Sequence, residues 1–205
     1  RRHTRFRNVT GVQTCALPIC QPASLCGVVG LKPTYGRVSR FGLIAFASSL
    51  DVVGPIAADV ATAAALFDLI AGHDVRDATS VTSPVTPIAT AQQAGVRGMT
   101  FGIPRALLGE GLSGDVRHAL SAAVEHLERE GARVVDVDLP HAPLAIATYY
   151  VLCTAEASSN LARFDGVRYG HRAATDNLLE MYGRSRAEGF GPEVKRRIKI
   201  GRAHV

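Results

Sequence analysis

Ser48 and Ser49 stand side by side in the run FASSLDVVGP, with Asp51 two residues on. Adjacent hydroxyls beside a carboxylate are the raw material of nucleophilic catalysis, in which an activated serine attacks a carbonyl carbon. Activation needs a base within reach, and no base adjoins this run. The same residue types also suit a hydrogen-bonded loop lying against a site built elsewhere. Glu156 and Asp165 form a second candidate, a carboxylate pair for general acid–base work. They flank a predicted helix end, where capping or pairing with Arg163 and Arg168 competes with that role. His118 and His126 fall two turns apart on one predicted helix, which is not the i, i+4 spacing of a helical zinc site. GVVGLKPT has glycines and a lysine, but a phosphate loop needs Gly-Lys-Ser/Thr in direct succession. Here Leu31 parts Gly30 from Lys32, and Pro33 removes an amide donor. That run reads as a strand followed by a turn.

The elements that would position these groups can be read from periodicity. Residues 21–27 suit a short turn of helix leading into a strand near Val28–Leu31. Tyr35 to Pro55, rich in Gly and Ser, reads as a long and partly ordered loop. Asp59 is a predicted N-cap for a helix that ends at Gly72 and presents Val60, Ala64, Phe67 and Leu69-Ile70 as its apolar face. Strands are expected at Thr100–Ile103 and Val134–Val137. Between them, SGDVRHALSAAVEHLEREG has helical spacing. Ser113 or Asp115 would cap it, Val116, Leu120, Val124 and Leu127 would face inward, and Gly131 would stop it. Strand, helix and strand in that order predict a βαβ-like unit and an α/β fold. APLAIATYYVLCTAEASSNLARF predicts one long, largely buried helix. Two further helical stretches follow, in DNLLEMYGRSRAEGF and from PEVKRRI onward.

Composition narrows the class. A chain of 205 residues with 47 % hydrophobic content can bury a core. No apolar run approaches the roughly 20 residues of a membrane span, and CALPI is too short for a signal peptide. The formal net charge of +5 comes from the ends: residues 21–198 carry 17 basic against 18 acidic residues. The basicity is therefore weak evidence for a nucleic-acid surface. No C-x-x-C spacing occurs, and Cys26 and Cys153 are expected as buried thiols in a reducing, cytoplasmic compartment.

The ends explain each other. Thr14–Ile19 can be encoded ACG TGT GCT CTT CCG ATC, and the reverse complement in a shifted frame encodes Ile200 to Val205. Residues 1–20 and 199–205 are therefore expected to be adapter-derived and poorly packed, with Val12, Leu17 and Val205 outside any core. The native stretch is expected to be 21–198.

Within that stretch, QPASLCGVVGLKPTYGRVSRFGLIAFASSLDVVGPIA resembles the segment that follows the nucleophile in the amidase-signature family. EASSNLARFDGVRYGHR and SRAEGFGPEVKRRI narrow the likeness to the branch that serves tRNA-dependent amidotransferases as the A subunit. The resemblance implies a mixed sheet covered by helices. It also implies a Ser–Ser–Lys mechanism: a lysine acts through a cis-serine, a second serine attacks the amide of glutamine, and a Gly-rich turn holds the oxyanion. Gln21-Pro22-Ala23 match the family's Gly-Gly-Ser-Ile-Arg-Gln-Pro-Ala pattern. Pro18 falls at the nucleophile's place and Cys20 at the arginine's. No catalytic residue is therefore expected in this chain, and Gln21, Ser48, Ser49 and Asp51 are expected beside the site. The resemblance further implies no metal and no cofactor in this chain. It implies B and C partner subunits, with ATP and Mg used by the partner, tRNA bound mainly through the partner, glutamine as substrate, and no membrane association.

Overall fold

The computed structural model describes residues 13–14, 17–91, 95–109 and 111–203. In chain order the first elements are β1 (Gln13–Thr14), α1 (Leu17–Leu25), β2 (Val29–Gly30), β3 (Val53–Gly54), β4 (Ile56–Ala57), α2 (Val60–Ile70) and α3 (Ile88–Ala91). After them come β5 (Thr100–Pro104), α4 (Gly114–Arg129), β6 (Arg133–Val137), α5 (Ala145–Leu161), α6 (Leu178–Gly189) and α7 (Pro192–Ala203). The chain divides into two units, Arg1–Ala89 with Thr148–Val205, and Thr90–Ala147. The α/β class expected from the sequence is what the elements show. No helix among the described residues is long and apolar enough to cross a membrane.

In the first unit, β1 pairs antiparallel with β3 and β2 antiparallel with β4. Val38, Val53 and Phe67 form a buried cluster, with Leu31, Ile70, Val85 and Ile88 packed against it. Asp59 caps α2 as expected, accepting from the Thr62 N–H at 2.7 Å. The helix ends at Ile70, before Gly72. Its inward stripe is Ala63, Ala64 and Phe67, while Val60 is 62 % and Leu69 80 % exposed. Leu69 lies two residues from Phe67 and so on the opposite side, and Val60 sits in the first turn, past the cluster.

The second unit is the expected βαβ arrangement. β5 and β6 run parallel, from Thr100 opposite Arg133 to Pro104 opposite Val137, with α4 between them in sequence. Ser113 caps α4 through the Val116 N–H. At its end the Gly131 N–H donates to Glu128 O and the Ala132 N–H to Leu127 O, both at 3.0 Å. That pair is the Schellman arrangement, and Gly131 supplies the positive φ it needs, +88°. Leu120, Val124 and Leu127 are half-buried, but Val116 is exposed, against expectation. Sixteen helical residues span about 24 Å, whereas five-residue strands span about 16 Å. The sheet is too short to cover the first turn.

Three further expectations need correction. The stretch 142–164 is a 3-10 turn followed by α5, and α5 is not largely buried: Cys153, Thr154, Ala157 and Leu161 form its only buried stripe. Ile146, Tyr150, Val151 and Leu152 are exposed, because an all-round apolar sequence does not specify which faces meet neighbours. Cys153 is buried but Cys26 is exposed, beyond the end of α1. Of the described end residues, Ile19 and Gly201 pack, while Cys20, Lys199, Ile200, Arg202 and Ala203 are exposed. Ile19 is fully buried, and α7 continues to Ala203 with Gly201 buried against α5. Val12, Val205 and the Leu17 side chain lie outside what the structure describes.

Candidate functional site

The Ser48–Ser49 run forms a tight turn whose closing group is Asp51. The Leu50 and Asp51 N–H groups both donate to Ala47 O at 2.8 Å. The buried Asp51 carboxylate reaches back to accept from the Phe46 N–H at 2.9 Å and the Ala47 N–H at 3.3 Å. Asp51 thus stabilises the turn rather than orienting a base.

Both serine hydroxyls are occupied by α5. Glu156 and Asn160 are four residues apart and share one face of that helix. The Ser49 N–H donates to Glu156 Oε2 at 2.9 Å, and the Ser49 hydroxyl donates to Glu156 Oε1. Asn160 Nδ2 donates to Ser48 Oγ at 2.9 Å and to Phe46 O at 3.1 Å. Glu156 therefore meets neither Asp165 nor the arginines expected for it. Asp165 instead accepts from the Val167 N–H at 2.9 Å, and Arg163 donates to Asn160.

On its other side the turn is held by Arg40 and Tyr35. The Tyr35 hydroxyl donates to Ser48 O at 2.9 Å, and Arg40 Nη1 donates to the same carbonyl. Arg40 also donates to Thr79 Oγ1 at 2.7 Å and lies over the Tyr35 ring. Its backbone N–H donates to Asp77 Oδ2 at 2.8 Å. Burial pushes the Asp77 carboxyl up, but donation from the Arg40 and Thr79 N–H groups and the Thr79 hydroxyl outweighs it. The group is held below the usual carboxylate range. Arg40, Phe41, Ile44, Ser48 and Asp51 line a cavity of about 190 Å³.

The third contributor is Arg197 of α7, over the Phe46 ring at 5.6 Å from its centre. It donates to Glu193 at 2.9 Å, which raises its pKa; burial opposes this, and the Tyr149 side chain adds to the rise. Sequence reasoning passed over Arg40, Asn160 and Arg197. The signal on offer was Glu156, the one charged residue of α5, with Asn160 at i, i+4.

Gln21 sits on the exposed side of α1, and its carbonyl accepts from the Ser24 hydroxyl at 2.8 Å. Position 18 is in the first turn of α1, just before buried Ile19. A Cβ at Gly54 would lie 3.0 Å from Ile19 Cδ1, and one at Gly30 would lie 2.9 Å from Ile19 O. β1, immediately upstream, pairs Thr14 with Val53 and Gln13 with Gly54. The backbone following the Ser48–Ser49 turn thus runs against both sides of position 18. Lys32 donates to its neighbour's carbonyl, Pro33 O, at 2.9 Å. Among the described residues no cluster of His, Cys, Asp or Glu could hold a metal ion.

The family model described as Amidase matches residues 19–205. The glutamyl-tRNA(Gln) amidotransferase A subunit of Geobacter sulfurreducens is 58 % identical over 184 residues, 89 % of this chain and 38 % of that protein. The protein of the same name from Koribacter versatilis is 56 % identical over the same shares. The chain therefore spans about two-fifths of the length of the curated relatives it matches. Among solved structures, the glutamyl-tRNA(Gln) amidotransferase A subunit of Thermotoga maritima superposes with a TM-score of 0.65 at 44 % identity, over 89 % of this chain and 35 % of that one. The native peptide amidase of Stenotrophomonas maltophilia gives 0.69 at 32 % identity, over 91 % and 39 %. With the α/β arrangement and the motif-bearing run after position 18 both in place in one chain, this protein belongs to the amidase family.

Proposed function

We propose that this chain is part of the glutamine-hydrolysing, ammonia-supplying A subunit of a tRNA-dependent amidotransferase. The observation that carries this reading is 58 % identity over 184 residues to a protein of that name. The sequence runs RFDGVRYGHR and SRAEGFGPEVKRRI support the same branch. In the complete protein, an activated serine at position 18 attacks the glutamine amide, preorganised donors hold the oxyanion, and ammonia leaves for a partner subunit. Gln21, Ser48, Ser49 and Asp51 lie beside that site and take no part in bond breaking. B and C subunits complete the assembly. The partner uses ATP and Mg to activate the misacylated tRNA and binds most of that tRNA, and the complex works in the cytoplasm. The native stretch is 21–198, with residues 1–20 and 199–205 adapter-derived.

The peptide amidase likeness, with its slightly higher TM-score, favours a second reading, a stand-alone amidase on a small amide. The two are separated by transplanting residues 21–198 into the full-length Geobacter sulfurreducens relative in place of its matching stretch. Glutamine hydrolysis and tRNA amidation together with the B and C subunits support the first reading. Hydrolysis of small amides with no coupling to tRNA overturns it.

A further inference from the structure

The groups that hold the Ser48–Ser49 turn come from one face of one helix. Glu156 takes both donors of Ser49, and Asn160, one turn later, donates to Ser48 and to the Phe46 carbonyl. These bonds tie together stretches 107 to 114 residues apart in the chain. Directly after the turn, Gly54 packs against the Leu31 carbonyl, and β4 pairs with β2, whose Gly30 packs against Ala23 of α1. The path from α5 through the turn to α1, the helix whose first turn holds position 18, is therefore continuous and short.

We propose that Glu156 and Asn160 are positioning residues of the amide-hydrolysing site. They fix the 46–51 turn on α5 and, through it, the backbone that carries position 18, without touching substrate. This rests on the functional reading above. A carboxylate suits the task because its two oxygens accept the N–H and the O–H of one serine at once. Glutamine can replace it, since its amide oxygen accepts from the Ser49 N–H while its NH2 donates to the hydroxyl, which also accepts. Alanine can do neither.

The test has two readouts. In this chain, amide hydrogen exchange at Ser49 should be about tenfold faster in Glu156→Ala and return to normal in Glu156→Gln. In the transplanted full-length enzyme with its partner subunits, Glu156→Ala should lower kcat for glutamine about 10- to 100-fold with KM little changed, because small displacements at a reacting centre cost that much. Glu156→Gln should restore kcat, and Ser49→Ala added to Glu156→Ala should cost nothing more. A merely structural role would move the unfolding midpoint and leave the split between kcat and KM untouched. Unchanged Ser49 exchange in Glu156→Ala overturns the clamp. An active enzyme whose kcat ignores Glu156→Ala overturns the positioning role, as does a Ser49→Ala effect that adds in full. A transplanted enzyme inactive before any of these substitutions defeats the functional reading instead, while Ser49 exchange still reads the clamp.

Discussion

Arg40 meets Asp77 twice. Its backbone N–H donates to Oδ2 at 2.8 Å, and its Nε lies 3.6 Å from the same oxygen. The pair ties the 36–48 loop to the 74–80 loop, and Arg40 passes the constraint on to Ser48. Both side chains are largely buried, 16 % and 8 % exposed, so removing the carboxylate strands a buried guanidinium and two N–H donors. Asp77→Ala should destabilise the protein by about 2–3 kcal/mol, measured by denaturant unfolding. An effect below about 0.5 kcal/mol, the usual range for an exposed site, would mean the two loops do not rest on this pair.

The same carboxylate sets a pH dependence. Its folded pKa lies below the ordinary aspartate value of 3.8, so its stabilisation is present above that value and is lost as pH falls through the lower folded pKa. Asp74 acts in the same direction, held down by its hydrogen bonds to Arg76 and Ser39. Stability should fall on acidification below about pH 4, and Asp77→Asn should flatten that fall. An unfolding midpoint as steep in acid for Asp77→Asn as for the parent would refute the assignment.

Asp59 is a simpler case. Its carboxylate accepts from the Thr62 N–H and hydroxyl at the start of α2. Asp59→Ala should cost about 1 kcal/mol, and Asp59→Asn much less, since either side chain caps. Equal losses for both variants would show that the cap is not the source.

Gly201 and Thr154 make the closest approach between α7 and α5. A Cβ at position 201 would overlap the Thr154 carbonyl oxygen, so the helices must separate to admit alanine. Gly201→Ala should destabilise by about 1–3 kcal/mol. An unchanged thermal midpoint would mean that the last turn of α7 does not rest on α5.

The proposed place of the nucleophile, position 18, carries a prediction about activity. Proline has no nucleophilic atom, and losing a nucleophile and its relay typically costs on the order of a million-fold in rate. The 205-residue chain should release no ammonia from glutamine above a buffer blank. Pro18→Ser combined with Cys20→Arg should leave it inactive, because the lysine and cis-serine implied by the family pattern are not restored. Ammonia release by the unaltered chain would contradict this, and alanine at Ser48, Ser49 and Cys26 in turn would locate the source.

Local signals in the sequence determined the caps of α2 and α4, the Gly131 stop and the β5–α4–β6 order. Each depends on residues within a few positions of one another: a capping oxygen near its N–H, a glycine at a positive φ, a repeat of apolar side chains. The family was readable for the same reason, since its motifs are contiguous. Only the tertiary structure decided what Ser48 and Ser49 do, because their partners Glu156, Asn160 and Arg40 are chosen by packing. It also decided which apolar residues go inside. Val60, Val116 and most of α5 satisfy helical spacing, but burial needs an opposing surface, and spacing along one helix carries no information about where that surface ends.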